Sequence, residues 1–395
     1  MNFTITDDQI LRLKDYNKNI KALASLAKQS TDYALFHLNG EKLTVYSIPE
    51  GGSSGFCQAD FVVESTDTGY FCVNIDAVLT FISNLLGPAY LCTVSSDTIT
   101  VKSAAIEKPS YTRTLMSTFS LEEKFAEIEN RMSEVEKNDI TFNLPVTSEI
   151  LKALGPIAAT VPIVARNNSI LVSGDWVSAS DDTGRVRIRL PIPVEGELKL
   201  KIAAIPLCQE GGYLKMYDDW VVIDNDWEKF AFVQEGLQFD GYSDEELSPG
   251  APLETDPVLL LKSEDLINAI NSFKGIIDTS LNKVAALDVH VEVTDGAGIL
   301  SLKYQDLLTE ADADIPVIDI ENPADFTADF GMATSHLSII REAILSGDAV
   351  KFHVNGLDQE SPDELDENGN PIGNHATIVY FEGDNFDIHI GKKNK

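Results

Sequence analysis

The sequence is short of positive charge. Lysine and arginine together number 30 against 63 aspartates and glutamates, a net charge of -33. Phosphates need a basic face, so an outer surface that wraps nucleic acid is excluded, although a local basic surface inside an acidic chain is not. An acidic exterior favours solubility and repels non-specific DNA contact. Cysteine is scarce too: Cys57, Cys72, Cys92 and Cys208 form no C-x-x-C pair, which leaves zinc ribbons and thioredoxin-like sites without support. A disulfide framework does not suit a chain this large, so the thiols read as buried and reduced in a cytoplasmic protein. The six histidines are scattered, with no H-E-x-x-H and no His/Cys cluster, so no metal is expected. No G-x-S-x-G, Walker loop or post-strand G-x-G-x-x-G occurs. Paired carboxylates abound, and in so acidic a chain they select nothing. MNFTITDDQILRLK has no basic start followed by an apolar run, so a signal peptide is not expected. No window reaches ~18 apolar residues, the length of a membrane span. These absences together predict a protein that is not an enzyme and needs no cofactor.

What is present is a packable chain of 395 residues, 44% hydrophobic, enough for two to four domains. A unit recurs six times: an amphipathic helix, then two strands joined by a short turn. In the first, Leu13, Tyr16, Ile20, Leu23 and Ala27 make one apolar stripe within a predicted helix over 8–28, with Thr6 or Asp7 as N-cap. Strands over 33–38 and 42–48 flank Asn39-Gly40, a hairpin signal. The second unit predicts a helix over 76–86, stopped by Gly87-Pro88, and strands over 89–94 and 98–102. The third predicts a helix over 148–158 interrupted at Gly155-Pro156, then strands over 163–166, 169–173 and 176–180. The fourth is weakest, a short helix near 203–209 before strands around Asp218-Asp219. The fifth carries the stripe Leu266, Ile270, Phe273 and Ile277, capped by Ser263, with strands on either side of Asp295-Gly296. The sixth predicts a helix over 335–346, a strand over 350–354, a long loop, and a hairpin over 377–390.

Two stretches read as linkers. Residues 103–138 are irregular and then amphipathic, with Phe125, Ile128, Met132 and Val135 at helical spacing and Ser120 with Glu123 as a capping box. Residues 234–257 are acidic and rich in Gly and Pro. Cutting there predicts an α+β protein of three segments, 1–119, 139–250 and 251–395, with 120–138 as a linker segment, each segment holding two units. The loop containing Glu364, Asp366, Asn368 and Gly369 hints at a calcium loop. An EF-hand wants Asp first and Glu twelfth, where this chain has Glu364 and His375, so it reads as a solvated loop.

Six helix-plus-hairpin units in three segments resemble the DNA polymerase sliding clamps of the bacterial type. The opening MNFTITDDQIL is similar to that family's first strand leading into a helix. Ser180 to Val186 followed by Pro191 resembles a second-domain turn beside the family's partner-binding groove. The resemblance implies an arc with helices inside and sheets outside, and two chains closing head to tail as a homodimeric ring around duplex DNA. It implies as partners a DNA polymerase and a clamp loader, whose peptides bind an apolar groove. Gly184, Arg185, Val186, Ile388 and Ile390 are the groove residues it suggests here. Gln234 to Phe239 looks like a clamp-binding peptide but sits in a linker, where coincidence is the plainer reading. The poor fourth helix, the long segment 120–136 and the acidic insertion 355–375 mark a divergent, virus-encoded member.

A clamp holds DNA by topology, so its lumen should be weakly positive and its outside can be acidic. Lys14, Lys18, Lys21 and Lys28 fall on one stripe of the first helix, roughly 130° from its apolar stripe at 100° per residue. Arg12 lies off that stripe. Opposite the apolar stripe of the fifth helix lie Asn268, Asn271, Ser272 and Gly275, with Lys274 beside them. Lys152 and Arg341 sit on the third and sixth helices. These basic residues are the predicted DNA-facing set, although a solvated lysine face is the ordinary reading of any one helix. The competing class is an acidic, β-rich viral structural or adhesion protein, with no DNA linkage.

Overall fold

The first two helices begin where a local signal places them. Thr6 Oγ1 accepts from the Gln9 amide at 3.3 Å and Gln9 Oε1 accepts from the Thr6 amide at 2.8 Å, a reciprocal box at the head of the first helix. Asn74 Oδ1 accepts from the Ala77 amide at 2.9 Å and caps the second. The computed structural model describes residues 1–27, 33–47, 55–83, 87–104, 110–114, 121–160, 169–181, 184–233, 257–279, 286–305, 310–344, 349–354 and 378–391.

In chain order the elements are β1 (Asn2–Thr6), α1 (Asp7–Ala27), β2 (Tyr33–Asn39), β3 (Lys42–Ser47), β4 (Gly55–Val62), β5 (Thr68–Asn74), α2 (Ile75–Ile82), β6 (Ala89–Val94), β7 (Thr98–Ser103) and β8 (Ser110–Thr114). Then come α3 (Leu121–Val135), β9 (Ile140–Pro145), α4 (Ser148–Thr160), β10 (Ser169–Asp181), β11 (Gly184–Lys201), a 3₁₀ turn (Ile202–Leu207), β12 (Tyr213–Tyr217), β13 (Trp220–Asp224) and β14 (Glu228–Val233). The last stretch holds β15 (Val258–Lys262), α5 (Ser263–Thr279), β16 (Ala286–Thr294), β17 (Ala297–Gln305), β18 (Glu310–Glu321), β19 (Phe326–Ala333), α6 (Thr334–Ala343), β20 (Ala349–His353), β21 (Ile378–Gly383) and β22 (Phe386–Gly391).

The repeat is larger than the sequence suggests. The first and fifth predicted helix-plus-hairpins each gain a strand before the helix and a third strand after the hairpin, giving β1-α1-β2-β3-β4 and β15-α5-β16-β17-β18. Opening strands are exchanged between neighbouring repeats. β1 pairs with β6 while β5 pairs with β2, and β15 pairs with β20 while β19 pairs with β16. Likewise β9 pairs with β12, and Val194–Lys201 of β11 pairs with β10. Exchange covers an edge that each repeat would otherwise leave open.

The chain divides into two compact units, Met1–Leu151 with Ala203–Gly236, and Lys152–Ile202 with Leu237–Lys395. The predicted segment 139–250 is thus shared between them. The first unit holds a four-stranded sheet, β1-β6-β7-β8, and an eight-stranded one, β5-β2-β3-β4-β14-β13-β12-β9. The second holds a ten-stranded sheet, β10-β11-β22-β21-β20-β15-β18-β17-β16-β19. Buried Leu13, Tyr16 and Ile20 carry the predicted α1 stripe, and buried Leu266, Ile270 and Phe273 carry that of α5.

Several local expectations change. The β2–β3 turn is Gly40-Glu41, one place later than read, with Asn39 paired to Lys42 and Gly40 at φ 60°. α4 runs through Gly155-Pro156 without a break. Pro156 forfeits one bond to the Lys152 carbonyl, but Lys152 and Gly155 are exposed, so water can serve that oxygen. Buried Ala153, Leu154 and Ile157 hold the helix in place. The strands read as 169–173 and 176–180 are one, bulged at Gly174, whose φ is 54°. Within the linker read at 103–138, β8 pairs with β7 and α3 is a full helix of 15 residues. Lys28, Ser120, the strand over 163–166, Gln234 to Phe239, the loop 355–375 and the tail from Lys392 lie outside the described residues.

Candidate nucleic-acid and partner interface

The predicted basic stripe of α1 is only partly free. Lys18 is exposed and Lys14 half-buried. Lys21 Nζ lies 2.6 Å from Asp76 Oδ1 of α2, an oxygen that also accepts from Asn17 Nδ2 at 2.7 Å. That pair sits at the surface and is worth less than about 1 kcal/mol, yet it neutralises one charge of the stripe. Arg12, off the stripe, lays its guanidinium 4.2 Å over the Trp227 ring and 5.8 Å from that of Phe61. In the second unit, Lys152 is exposed on α4 and Lys274 half-buried on α5, while Arg341 of α6 pairs with Glu342. The Asn268, Asn271, Ser272 and Gly275 face of α5 is exposed, and Ser272 Oγ turns back onto the Asn268 carbonyl at 2.9 Å. Cation density is therefore thin, fit for loose contact with a polyanion rather than for a tight grip.

The predicted groove residues meet. β11 and β22 pair antiparallel with Gly184 opposite Ile390, Arg185 opposite His389 and Val186 opposite Ile388. Strand alternation then sorts them. Val186, Ile388 and Ile390, with Ile188 and Phe386, are buried as core on one face. The other face carries a polar and aromatic lattice. Arg187 Nε donates to both Asp387 oxygens at 2.9 and 2.7 Å, and its ring neighbour is Trp176 at 4.7 Å. Tyr380 of β21 lies between His389 at 4.3 Å and His353 at 4.4 Å, both stacked. His353 Nε2 is 2.9 Å from Glu382 Oε2. That hydrogen bond holds the Glu382 carboxyl below the usual range, against burial, which raises it. Burial pushes the Tyr380 hydroxyl well up, helped by the Glu382 and Asp387 charges. Of the suggested groove set, Arg185 belongs to the lattice face and the isoleucines to the core.

Sequence reading missed Trp176, His353, Tyr380 and Glu382. Their alternation with buried neighbours, as in Val379-Tyr380-Phe381-Glu382, is the signal that would have found them.

No family model matches the chain, and no curated protein matches it in sequence. Solved structures match its fold. The beta clamp of Helicobacter pylori in complex with 3,4-difluorobenzamide superposes with a TM-score of 0.70 at 13% identity, covering 100% of both chains. The Helicobacter pylori beta clamp bound to a DNA ligase peptide gives 0.69 at 13%, again over 100% of both. The beta subunit from DNA polymerase of Streptococcus pyogenes gives 0.69 at 13% over 100% of both. The chain has the fold of the bacterial beta clamps along its whole length, as the resemblance drawn from its sequence implied.

Proposed function

We propose that this chain is a DNA sliding clamp, a processivity factor that encircles duplex DNA and tethers a DNA polymerase. The observation that carries the reading is the six-fold repeat of helix and strands, matched over full length to beta clamps. One of those clamps binds a DNA ligase peptide and another belongs to a DNA polymerase, which supports replication partners here. In this reading the chain does no chemistry, needs no cofactor, acts in the cytoplasm, and is loaded by a separate ATP-driven machine. Its domains are 1–119, 139–250 and 251–395, arranged as an arc with the helices towards DNA. Lys14, Lys18, Lys21, Lys28, Lys152, Lys274 and Arg341 give that side a weak positive bias. Partner peptides dock near Gly184, Arg185, Val186, Ile388 and Ile390.

A homodimeric ring closes head to tail through edge strands. β8, with Arg113, is an edge of the four-stranded sheet. β18 lies between β15 and β17, but β15 pairs only with Val317–Glu321, so Glu310–Pro316 pairs with β17 on one side and with no strand among the described residues on the other; Glu310, Asp312 and Asp314 of this half point to solvent. Joining these would set opposite charges side by side and hide both edges. The decisive experiment compares retention on nicked circular and linear DNA after loading. The reading expects the protein to stay on the circle and run off the line; equal loss from both defeats it. Solution mass should be twice that of the chain.

A further inference from the structure

Two antiparallel seams join larger blocks of sheet, each through five residue pairs. In the first unit, Glu228–Phe232 of β14 pairs with Gly55–Ala59 of β4 and joins β5-β2-β3-β4 to β14-β13-β12-β9. In the second, Gly184–Ile188 of β11 pairs with Phe386–Ile390 of β22. By sheet hydrogen bonds alone they are equals. Their flanks differ.

Helix α3 lies across the first seam. Phe125 and Ile128 pack on Leu35, Tyr46 and Cys72 of β2, β3 and β5. Two turns later, Met132 and Val135 pack on Phe56, Ala231, Val222 and Tyr217 of β4, β14, β13 and β12. One face of one helix thus joins clusters that draw residues from seven of the eight strands, on both sides of the seam. The length suits this: 15 residues span about 22 Å at 1.5 Å each, and strands lie about 4.8 Å apart, so the helix body reaches over about five strands, enough to lie across the seam. Its far end is fastened by Lys229 of β14, whose Nζ lies 2.5 Å from Glu136, and by Arg131 over the Trp220 ring at 5.9 Å. The Phe125 ring meets those of His37, Tyr46 and Tyr70 edge-on at 4.7, 4.6 and 5.3 Å. From the opposite face Tyr16 of α1 donates to the Val45 and Cys57 carbonyls at 3.1 and 2.9 Å and packs on Phe230. On the corresponding face the second seam is bordered instead by charge and stacked rings, the Arg187–Asp387 pair and the Tyr380–His389 stack, while α6 packs on β11 and β22 from the core face, as α1 does at the first seam.

We propose that α3 is a splint that stiffens the β4–β14 seam, so that thermal bending within the chain concentrates at the β11–β22 seam. A stacked, hydrogen-bonded lattice yields by small side-chain shifts, whereas lifting α3 exposes four buried apolar side chains at once. The inference stands apart from the clamp reading and holds for the isolated chain.

Hydrogen exchange on the full chain tests it. Amides of 55–59 and 228–232 should exchange at least tenfold more slowly than those of 184–188 and 386–390. In Phe125→Ala with Met132→Ala the first set should accelerate to match the second, while β6 and β7, which α3 does not touch, keep their protection. The milder Glu136→Gln should accelerate the first set a few-fold and leaves the packing whole, so it reads the splint even where the double variant folds poorly. Equal protection of both seams in the unaltered chain overturns the proposal. So does a variant that loosens β6 and β7 as much as the seam, which would make α3 ordinary core.

Discussion

The β4–β14 and β11–β22 seams solve one problem with different materials. Both join strands from distant parts of the chain with five residue pairs. The first is sandwiched between apolar residues of α3 and the buried Tyr16 of α1. The second has core on one face only and, on the other, Arg187, Asp387, Tyr380, His389, His353 and Glu382 in contact. Apolar burial is insensitive to salt and pH, whereas ion pairs and hydrogen-bonded carboxylates are not. The lesson is that identical backbone pairing takes its mechanical and environmental response from the side chains beside it.

The largest expected effect comes from removing the ring at the centre of the α3 contact. Phe125→Ala should cost about 3–4 kcal/mol in chemical denaturation, because the cavity left among His37, Tyr46 and Tyr70 cannot collapse. A loss under about 1 kcal/mol would show that α3 is peripheral. Next, Asp387→Ala leaves Arg187 half-buried without its carboxylate and should cost about 3 kcal/mol. The loss should shrink in high salt, which would leave the Phe125 variant unaffected.

The seams also differ in the sign of their response to pH. Glu228, at the end of the first, is buried, with Gln209 Nε2 donating to Oε1 at 2.5 Å and Oε2 unpartnered among the described residues. Burial raises its carboxyl from 4.5 to about 7. Between those values the folded chain keeps a proton that the unfolded chain has lost, so stability falls as pH rises through that window. Glu228→Gln should therefore stabilise by about 2 kcal/mol at pH 8 and change little at pH 4, read from denaturation curves at the two pH values. Glu382 responds in the opposite sense. Its carboxyl is held low by His353, so its contribution is present above the ordinary carboxylate range and is lost as pH falls through it. The smallest effect should be Glu136→Gln, about 0.5 kcal/mol or less in a thermal melt, since that pair is partly exposed.

Much of the fold was legible because its signals are local. The Thr6 cap and the stripes of α1, α3 and α5 act within a turn or two, and Asp295-Gly296, with φ of 52° and 77°, fixes its hairpin by itself. β18 was passed over because EADADIPVIDIE is dotted with acid that reads as loop, yet its side chains alternate between sheet face and solvent. Of the candidate site, the meeting of Val186 with Ile388 was foreseen through resemblance, and the lattice behind it was not. Nothing near Arg187 in sequence announces Asp387, 200 residues away.

By itself, then, the amino-acid order determined the repeating helix and hairpin, the acidic surface and the apolar stripes, because each depends on neighbours within a few residues. Only the tertiary structure decided that opening strands are exchanged between repeats, that α3 packs on both sides of the β4–β14 seam rather than hanging as a linker, and that Lys21 spends its charge on Asp76. Those outcomes depend on which surfaces meet, and pairing energies between distant segments leave no periodic trace in the sequence of either one.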